Sequence, residues 1–435
     1  MDIETLYGLY RKHPVVTTDS RVCPEGAIFF ALKGASFNGN AFAAGALERG
    51  CAYAVVDEKE VVPEGDARYI VVNDCLATLQ QLAAYHRHRL NLPVIQITGT
   101  NGKTTTKELT AAVLGRKYNV WYTQGNLNNH IGVPLTLLQM NAGHEMAVIE
   151  TGASHPGEIK FLSEIVDADY GLITNVGVGH IEGFGSFEGV VRTKGELYDY
   201  LRTKQGTVFL HKDNEHLTAM AEGLKTIRYG APGDEGTTVE GEVVDCTPCL
   251  RFRWREQGQG DEAWHEVQSR LIGDYNLSNL LAAATIGVRF GISPEEISAA
   301  LTEYTPGNNR SQWRETAHNR LIIDTYNANA TSMKAALENL CQLKADKKMV
   351  ILGDMKELGP VSETEHRRIV DFLSHSGIDR VWLVGPCFKA VCPPFRTFDN
   401  VEQVIEALKS DRPEQYTLLI KGSHSTRLYL LPDHL

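Results

Sequence analysis

Several features that would place this chain in a special class are missing from its sequence. No uncharged apolar run approaches the roughly 20 residues of a membrane span, and the segment MDIETLYGLYRKHP has no apolar core of signal-peptide length. Lysine and arginine number 43 against 54 acidic residues, a formal net charge of −11, so general attraction to nucleic acid or anionic membrane is absent. We therefore expect a cytoplasmic protein, monomeric, with neither nucleic acid nor membrane as a partner.

The cysteine pattern indicates neither a disulfide framework nor a zinc site. Eight cysteines are scattered over 435 residues, and the pair Cys246 and Cys249 has no second pair at zinc spacing. That pair lies between β-like runs, whereas a redox pair of the thioredoxin type opens a helix. We interpret the cysteines as mostly small buried side chains.

The chain is longer than one hydrophobic core usually serves, and its pattern divides it into three α/β units. Residues 1–92 alternate short apolar runs with helical ones and end before Pro93. Residues 93–310 continue with buried strands between helices, which predicts a doubly wound parallel sheet, and 238–272 alternate like an antiparallel extension of it. Residues 311–435 predict a third, Rossmann-like unit.

The segment VIQITGTNGKTTTKE, residues 94–108, is the strongest functional signal. It predicts a strand, a glycine-rich turn and a helix start, where backbone N–H groups and the helix dipole attract an anion. Lys103 supplies a charge for the outer phosphates, and the Thr104 hydroxyl is placed for Mg²⁺. The alternative is a glycine-rich turn that binds nothing. The Lys-Thr pair favours a nucleoside triphosphate site, with fewer residues between the glycines than the general pattern has.

Two further strand ends are expected beside this loop. The run MAVIE ends in Glu150, and YGLITNVGVGH leads to His180. Because the carboxyl ends of parallel strands meet at one edge, Thr104, Glu150 and His180 could share Mg²⁺ with phosphate oxygens. Mg²⁺ prefers oxygen ligands, so a hydrogen-bonded structural histidine is an equal alternative for His180.

A dense polar patch follows another predicted strand. Asn126, Asn128, Asn129 and His130 stand in TQGNLNNHIGVPLT. They fit either a turn with an Asx cap before a helix or the recognition of a polar, sugar-like or phosphate-bearing substrate. Three asparagines exceed what a cap needs, which favours recognition.

The remaining candidates lie farther along the chain. Lys194 is predicted at the start of a helix, where by itself it would be a solvated lysine. Two strand ends of the third unit carry polar residues, namely Asp324, Tyr326, Asn327 and Asn329 after the first, and Lys421, Gly422, Ser423, His424 and Arg427 after the second. Polar strand ends of a separate unit suggest a cleft that closes over two substrates.

These motifs together resemble the Mur ligases, the ATP-dependent enzymes that extend the peptidoglycan stem peptide. The resemblance covers essentially the whole chain and rests on GTNGKTT, NVGVGHIEGFGS followed by TKGE, DTYNANATSMKAAL and ILGDMKELG in that order. Within the family, NLNNHIGVPLTLL and ILGDMKELG are similar to the MurF type, which adds D-alanyl-D-alanine to UDP-N-acetylmuramoyl-tripeptide. The Asp-Asn-Pro-Arg stretch of the MurE type is missing.

The resemblance implies a role for each matching residue. It implies ATP and Mg²⁺ as cofactors and UDP-N-acetylmuramoyl-tripeptide and D-alanyl-D-alanine as the other partners. For ATP binding it implies Gly99, Thr100, Asn101, Gly102, Lys103, Thr104, Thr105, Asn276, Asn279, Arg310 and Asp324. For the metal it implies Thr104, Glu150, His180 and Lys194, the last as a carbamylated lysine. For catalysis it implies Lys103, Glu150, His180 and Lys194.

The resemblance also implies substrate-binding residues. The N-terminal unit would hold the uridine diphosphate end through Ser20, Arg21, Lys33, Gly34, Asn38, Gly39 and Asn40. The rest of the substrate-binding set is Asn126, Asn128, Asn129, Asn327, Asn329 and Ser332. The sequence departs from the family pattern at Thr151, where methionine is common, at Ala330, where proline is usual, and at His424, where arginine is common.

The implied reaction is the formation of an amide bond through an acyl phosphate. The alternatives left open are a ligase of the MurE or folylpolyglutamate synthetase type with another acceptor, and a nucleotide-dependent interaction protein that hydrolyses ATP to change partners. The first would take a free amino acid or glutamate in place of D-alanyl-D-alanine. The second would turn over ATP without forming a product of greater mass.

Overall fold

A computed structural model describes residues 1–258, 263–307 and 309–435. These residues form three sheets of four, nine and six strands, each with helices packed against it. The α/β class with three units is therefore confirmed. In the described part of the chain, no helix combines the length and apolarity needed to cross a membrane.

The N-terminal unit has a parallel sheet with strand order β1-β2-β3-β4. Its strands are β1 (Val16–Thr17), β2 (Ile28–Phe30), β3 (Tyr53–Val56) and β4 (Tyr69–Val71). Its helices are α1 (Ile3–Tyr10), α2 (Ala43–Glu48) and α3 (Cys75–Arg89). Helix α3 begins where the Asp74 carboxylate accepts the Ala77 N–H at 2.8 Å and ends in basic residues, as the helix dipole favours.

The middle unit has the strand order β13-β12-β11-β10-β9-β8-β5-β7-β6. Its strands are β5 (Val94–Thr98), β6 (Val120–Tyr122), β7 (Met146–Glu150), β8 (Tyr170–Ile173), β9 (Thr207–His211), β10 (Lys225–Gly230), β11 (Val239–Cys246), β12 (Leu250–Glu256) and β13 (His265–Gln268). Its helices are α4 (Lys103–Leu114), α5 (Gly132–Leu137), α6 (Glu158–Val166), α7 (Ile181–Phe184), α8 (Phe187–Lys204), α9 (Glu215–Met220), α10 (Leu277–Arg289) and α11 (Pro294–Glu303). Strands β11, β12 and β13 pair antiparallel, which confirms the predicted extension of the parallel sheet.

The C-terminal unit has the strand order β14-β15-β19-β16-β17-β18, parallel except at the β14 edge. Its strands are β14 (Gln312–Glu315), β15 (Arg320–Asp324), β16 (Lys348–Gly353), β17 (Arg380–Val384), β18 (Arg396–Phe398) and β19 (Thr417–Lys421). Its helices are α12 (Ala330–Gln342), α13 (Ser362–His375), α14 (Pro386–Ala390) and α15 (Val401–Ser410). Separate apolar cores cover the two faces of this sheet, as in a doubly wound fold.

The N-terminal unit shares its apolar core with the middle unit. Buried residues of β2 and β3 belong to the same cluster as Val133 and Leu137 of α5 and Leu162 of α6. Buried Arg87 of α3 donates from Nε to the Val166 carbonyl at 3.1 Å and from Nη2 to the Asp167 carbonyl at 2.9 Å. This contact fixes the N-terminal unit against the amino-terminal end of β8.

The candidate site lies at the opposite end of the same strands. Strand β5 lies between β7 and β8 and is parallel to both, so the carboxyl ends of the three strands are neighbours. All residues of β5 and β7 are buried, which leaves the segments after them to face a ligand.

Candidate functional site

The loop after β5 has a backbone that only glycine adopts easily at two positions. Gly99 has φ +142° and Gly102 has φ +80°. A Cβ atom at Gly99 would lie 2.0 Å from Thr174 Oγ1, and one at Gly102 would lie 2.6 Å from Asn279 Oδ1. Helix α4 begins directly after this loop, so its first N–H groups point toward the cavity, as an anion site requires.

Lys103 is folded back onto the loop that precedes it. Its Nζ donates to the Gly99 carbonyl at 2.9 Å and to the Thr100 carbonyl at 3.0 Å. Burial lowers the pKa of Lys103, and Arg310 lowers it further, whereas Glu150 and Glu357 act in the opposite direction. An anion bound in the loop would therefore be the natural partner of this desolvated ammonium group.

Glu150 is buried at the end of β7. Its Oε1 accepts a hydrogen bond from Asn128 Nδ2 at 2.7 Å, while Oε2 is buried and has no hydrogen-bond partner among the described residues. A buried, unsatisfied carboxylate oxygen costs free energy unless a cation or a donor occupies the space beside it. This oxygen fits the hard ligand set that Mg²⁺ prefers.

His180 is the residue before α7 and has a left-handed backbone, with φ 54°. Its Nδ1 lies 2.8 Å from Glu357 Oε2 in the segment after β16. The ring also lines the cavity beside the phosphate loop. Contact with His180, helped by the charge of Lys103, lowers the pKa of Glu357.

Lys194 does not lie at the start of a helix, so that prediction is wrong. Helix α8 begins at Phe187, capped by the Ser186 hydroxyl, and Lys194 is two turns inside it. Its side chain is 2% exposed, and its Nζ lies 5.2 Å from the centre of the Phe184 ring. Burial, with help from the Lys103 charge, lowers the pKa of Lys194 to about 7. It is therefore a buried amine and not a solvated lysine.

A second polar group faces the loop from α10 and the C-terminal unit. Asn279 Nδ2 donates to Asn276 Oδ1 at 2.9 Å, and Asn279 Oδ1 accepts from the Thr106 hydroxyl at 3.0 Å, so this pair is tied to α4. The Arg310 guanidinium lies 3.7 Å from the centre of the Tyr326 ring, and its Nε is buried with no hydrogen-bond partner among the described residues.

Asp324 closes this group at the end of β15. Its carboxylate pairs with buried Lys421 Nζ at the end of β19. Lys421 Nζ also donates to the Asn327 carbonyl at 3.2 Å. The strand ends of the C-terminal unit therefore present an acidic and a basic group side by side.

One cavity of about 720 Å³ joins these groups between the middle and C-terminal units. The predicted residues that line it are Thr100, Asn101, Gly102, Lys103, Thr105, Asn128, Asn129, His130, Glu150, His180, Asn276, Asn279, Arg310, Asp324, Tyr326, Asn327, Ser332 and Lys421. It is large enough for a nucleotide and a second substrate. Gly99, buried Thr104 and buried Lys194 lie behind its wall and not on it.

Asn329 and Ser332 begin helix α12 with reciprocal hydrogen bonds. Asn329 Oδ1 accepts the Ser332 N–H at 2.8 Å, and Ser332 Oγ accepts the Asn329 N–H at 3.1 Å. Asn329 Nδ2 also donates to Asn101 Oδ1 at 2.8 Å, which ties the C-terminal unit to the phosphate loop. Ala330 is the first helical residue, a position where proline and alanine are both accommodated, so this departure leaves the turn intact.

Asn129 of the polar patch before α5 forms a local turn, and Asn126 lies outside the cavity. Asn129 Oδ1 accepts the N–H groups of Ile131 at 3.1 Å and Gly132 at 2.9 Å, so the Asx turn is formed at this residue. Asn126 is exposed and does not line the cavity. Only Asn128, Asn129 and His130 of the patch face it.

His424 stands where arginine is common in the family, and its side chain packs against a neighbouring ring. His424 stacks on Tyr429 with ring centres 5.0 Å apart. Arg427 pairs with Glu402 at 2.6 Å and does not line the cavity, so it does not replace a missing arginine there.

The residues predicted for the uridine diphosphate end lie in the N-terminal unit, away from the cavity wall. Lys33 Nζ lies 2.9 Å from Asp57 and 3.1 Å from Glu58. Asn38 and buried Asn40 donate to these same acids at 2.9 and 2.7 Å. A Cβ atom at Gly39 would lie 2.4 Å from the Leu32 carbonyl oxygen, so glycine is required there.

Other predicted residues of this end have local partners. Arg21 pairs with Asp19 at 2.8 Å on the surface, and the Ser20 carbonyl accepts Arg49 Nη1 at 3.0 Å. A Cβ atom at Gly34 would lie 2.4 Å from the Phe37 ring, and that ring is 55% exposed. An exposed aromatic ring beside Lys33, whose charge is shared with Asp57 and Glu58, is suited to stacking with a nucleotide base.

Sequence reasoning missed one wall of the cavity. This wall is lined by Ser154, His155, Glu158, Phe161 and Leu162 around the start of α6, and by Ala335 of α12. The first five follow the β7 strand end, so the same strand-end rule that selected Glu150 could have found them. Glu357 follows the end of β16, so the same rule applies to it, but its contact with His180 of another unit has no signal in the sequence.

Models of one family match three stretches of the chain. The Mur ligase family catalytic domain matches residues 14–87, the Mur ligase middle domain matches 97–287, and the glutamate ligase domain of Mur ligases matches 309–424. The matches follow the order of the three sheets.

Similar proteins and structures cover most of the chain. A protein of Bacillus subtilis (strain 168), named UDP-N-acetylmuramoyl-tripeptide--D-alanyl-D-alanine ligase, is 35% identical over 412 residues, 92% of this chain and 84% of that protein. A crystal structure of MurF from Acinetobacter baumannii has a TM-score of 0.85 at 31% identity and covers 96% of this chain and 92% of that chain. The MurF ligase of Thermotoga maritima in complex with ADP has a TM-score of 0.85 at 25% identity, covering 97% and 96%.

Proposed function

We propose that this chain, which belongs to the Mur ligase family, joins D-alanyl-D-alanine to UDP-N-acetylmuramoyl-tripeptide at the expense of ATP. The observation that carries the proposal is the cavity between the middle and C-terminal units, with the phosphate loop on one side and Asp324 and Lys421 on the other. The similar protein of Bacillus subtilis, at 35% identity, is named for this reaction. That relationship favours this acceptor over those of the MurE and folylpolyglutamate synthetase types.

In the proposed reaction the terminal carboxylate of the tripeptide attacks the γ-phosphorus of ATP, which gives an acyl phosphate and ADP. The neutral amine of D-alanyl-D-alanine then attacks the acyl carbon, the nitrogen gives up one proton, and inorganic phosphate leaves with the former carboxylate oxygen. Little covalent chemistry falls to the protein, so catalysis comes from positioning and from charge neutralisation. A cavity lined by lysine, arginine, carboxylate and backbone amides suits this task.

Lys103 is proposed to follow the transferring phosphoryl group. Without an anion its ammonium group is held by the Gly99 and Thr100 carbonyls. Phosphate oxygens offer a stronger, charge-assisted partner, and the flexible side chain can turn toward them. The Arg310 guanidinium, with its buried Nε, is proposed to hold the nucleotide together with Asn276, Asn279 and Asp324.

Mg²⁺ is proposed at Thr104, Glu150 and His180, where the buried Oε2 of Glu150 fits a hard cation. Bound there, Mg²⁺ would neutralise charge on the phosphate oxygens of ATP. Lys194 is proposed to add a carboxylate by carbamylation. With a pKa of about 7, roughly half of the amine is free at neutral pH, and the free amine is the form that reacts with carbon dioxide.

The N-terminal unit is proposed to hold the uridine diphosphate end of the substrate through Ser20, Arg21, Lys33, Gly34, Asn38, Gly39 and Asn40. The cations of Arg21 and Lys33, with the exposed Phe37 ring, support this assignment. We also propose that the protein is a cytoplasmic monomer. Its eight cysteines are all free, as expected in a reducing compartment where ATP is available.

The test is a reaction of the purified chain with ATP, Mg²⁺, UDP-N-acetylmuramoyl-tripeptide and one acceptor at a time, followed by mass spectrometry and phosphate release. D-alanyl-D-alanine should give ADP, phosphate and a product heavier by one dipeptide less water. Product with free lysine, diaminopimelate or glutamate, and none with the dipeptide, would refute the acceptor. ATP turnover without any heavier product would favour an interaction protein.

A further inference from the structure

The contact between His180 and Glu357 joins two units at the edge of the cavity. His180 follows β8 of the middle unit, and Glu357 follows β16 of the C-terminal unit. Besides the 2.8 Å approach of Nδ1 to Oε2, the Glu182 N–H donates to the Glu357 carbonyl at 3.3 Å. A Cβ atom at Gly359 would lie 3.1 Å from Glu182 Cα, so the two segments are in close contact. We call segments 180–182 and 357–359 the clasp.

The clasp holds two residues in an unusual backbone conformation. His180 has φ 54° and Glu357 has φ 64°, and neither is a glycine. Left-handed backbone is uncommon for such residues, and it persists where surrounding contacts hold it, often at functional sites. Here the two meet each other, side chain to side chain. The same contacts that hold these two conformations bring the Glu357 carboxylate against the His180 imidazole.

The contact lies on the buried edge of the imidazole, which leaves the other edge for the cavity. Glu357 Oε2 lies 2.8 Å from Nδ1 but outside hydrogen-bond direction, since Nδ1 has no hydrogen-bond partner among the described residues. The half-exposed carboxylate therefore acts on the ring by its charge, and a negative charge at this distance favours a proton on Nδ1 over a bare lone pair. Nδ1 is buried, while 25% of the side chain remains accessible and lines the cavity. The free lone pair of Nε2 is then available on the accessible side. A carboxylate beside the other ring nitrogen is a common partner of a metal-binding histidine.

We propose that Glu357 is a positioning residue that holds Nε2 of His180 toward the Mg²⁺–phosphate side of the cavity. The inference rests on the metal role proposed above for His180. It adds that this side of the site is complete only when the C-terminal unit is docked on the middle unit. Closure and metal binding are then linked, and each stabilises the other. Glu357 also lies close enough to Lys103 to influence its charge, so the test must separate the two routes.

The test measures Mn²⁺ binding to the ADP complex by the electron paramagnetic resonance of free Mn²⁺. Glu357→Met keeps the length of the side chain and removes the acceptor, so Mn²⁺ binding should weaken about 10-fold or more, as for other partners of metal-binding histidines. Glu357→Gln keeps an acceptor oxygen, so its affinity for Mn²⁺ should lie between those of the wild type and Glu357→Met. The matched control is Glu182→Met, the same change on the other side of the clasp, which should stay within about 2-fold of the wild type.

A double-mutant cycle separates action through His180 from action through Lys103. His180→Gly removes the imidazole and accepts the left-handed backbone. In that background Glu357→Met should cause no further loss of Mn²⁺ binding. An equal loss in both backgrounds, or wild-type Mn²⁺ binding by Glu357→Met, would overturn the proposal.

Folding and the wider function are controlled separately. Thermal unfolding checks that each variant folds. If Glu357→Met does not fold, the Mn²⁺ affinities of Glu357→Gln and Glu182→Gln are compared instead. Equal affinities of these two variants would contradict the proposal. The measurement needs neither the tripeptide nor an acceptor. A failure of the ligation assay is therefore distinguishable from a failure of this inference.

Discussion

At the scale of single residues, the site combines buried groups whose desolvation is unfavourable unless a charged ligand binds beside them. Lys103, Glu150, Arg310 and Lys194 each carry or could carry charge in surroundings that desolvate it. Such groups cost stability in the empty protein and gain it when counter-charges arrive. This is the expected signature of a site for a highly charged nucleotide.

Replacing Lys103 with methionine should lower the rate of ligation by at least about 10²–10³-fold, the usual cost of losing one preorganised electrostatic group. The folded state should be retained, because only the Gly99 and Thr100 carbonyls lose a donor, and Thr100 lines the cavity. Single-turnover kinetics and thermal unfolding check the two parts. Near-normal turnover by Lys103→Met would contradict the assignment of the site.

Lys194 should take up carbon dioxide in a pH-dependent way. Because its pKa is lowered to about 7, its amine is mostly protonated at pH 6 and mostly free at pH 8. The free amine forms the carbamate and releases one proton, so the ¹³C signal from labelled bicarbonate should grow between these values. The spectrum of Lys194→Met is the control. A signal that persists in that variant, or that falls as pH rises, would exclude this role.

At the scale of elements, the phosphate loop and the strand ends were predictable because local pattern determines them. Strands β5, β7 and β8 are short, mostly apolar runs, and Gly99 and Gly102 have backbone conformations that favour glycine. Lys194 was misplaced because the helix start at Ser186 was overlooked, although a serine followed by an acidic first turn is a readable signal. Short edge strands such as β1 and β14 are only partly buried and carry little pattern.

Helix α12 gives a direct test of a departure from the family pattern. Ala330→Pro should leave the free energy of unfolding within about 1 kcal/mol of the wild type, because proline suits the first helical position. Asn329 already has the extended backbone, φ −135° and ψ 170°, that a residue before proline prefers. Ala336→Pro, in the interior of the same helix, should cost about 3 kcal/mol or more. Urea denaturation compares them, and equal losses would show that the helix start is misassigned.

At the scale of the whole molecule, the two flanking units contact opposite ends of the middle sheet. The C-terminal unit reaches the carboxyl ends through Asn329 and Glu357, whereas the N-terminal unit is fixed at the amino end of β8 through Arg87. The three-unit order was predictable from the alternation of strands and helices. The contacts between units were not, because no local pattern in ILGDMKELG or AAYHRHRL states which distant segment it will meet.

The contacts of Arg87 lie about 15 Å from the phosphate loop, the length of a five-residue strand. Their effect can therefore be separated from nucleotide binding. Arg87→Met removes the donor to the Val166 and Asp167 carbonyls and the partner of Asp169, at a cost of roughly 3 kcal/mol. ADP binding should be unchanged, because the loop and α4 are not involved. The KM for the UDP-linked substrate should rise, because that substrate must reach from the N-terminal unit to the cavity.

The matched control is Arg89→Met, two residues along the same helix, where the guanidinium is exposed and lies 4.9 Å from the centre of the Tyr85 ring within α3. Denaturant unfolding, ADP titration and steady-state kinetics on both variants separate anchoring from local helix effects. Equal behaviour of the two variants would mean that the shared apolar core alone fixes the N-terminal unit. A loss of ADP affinity by Arg87→Met would instead mean that the two ends of the middle sheet are coupled, and that the flanking units sense each other through it.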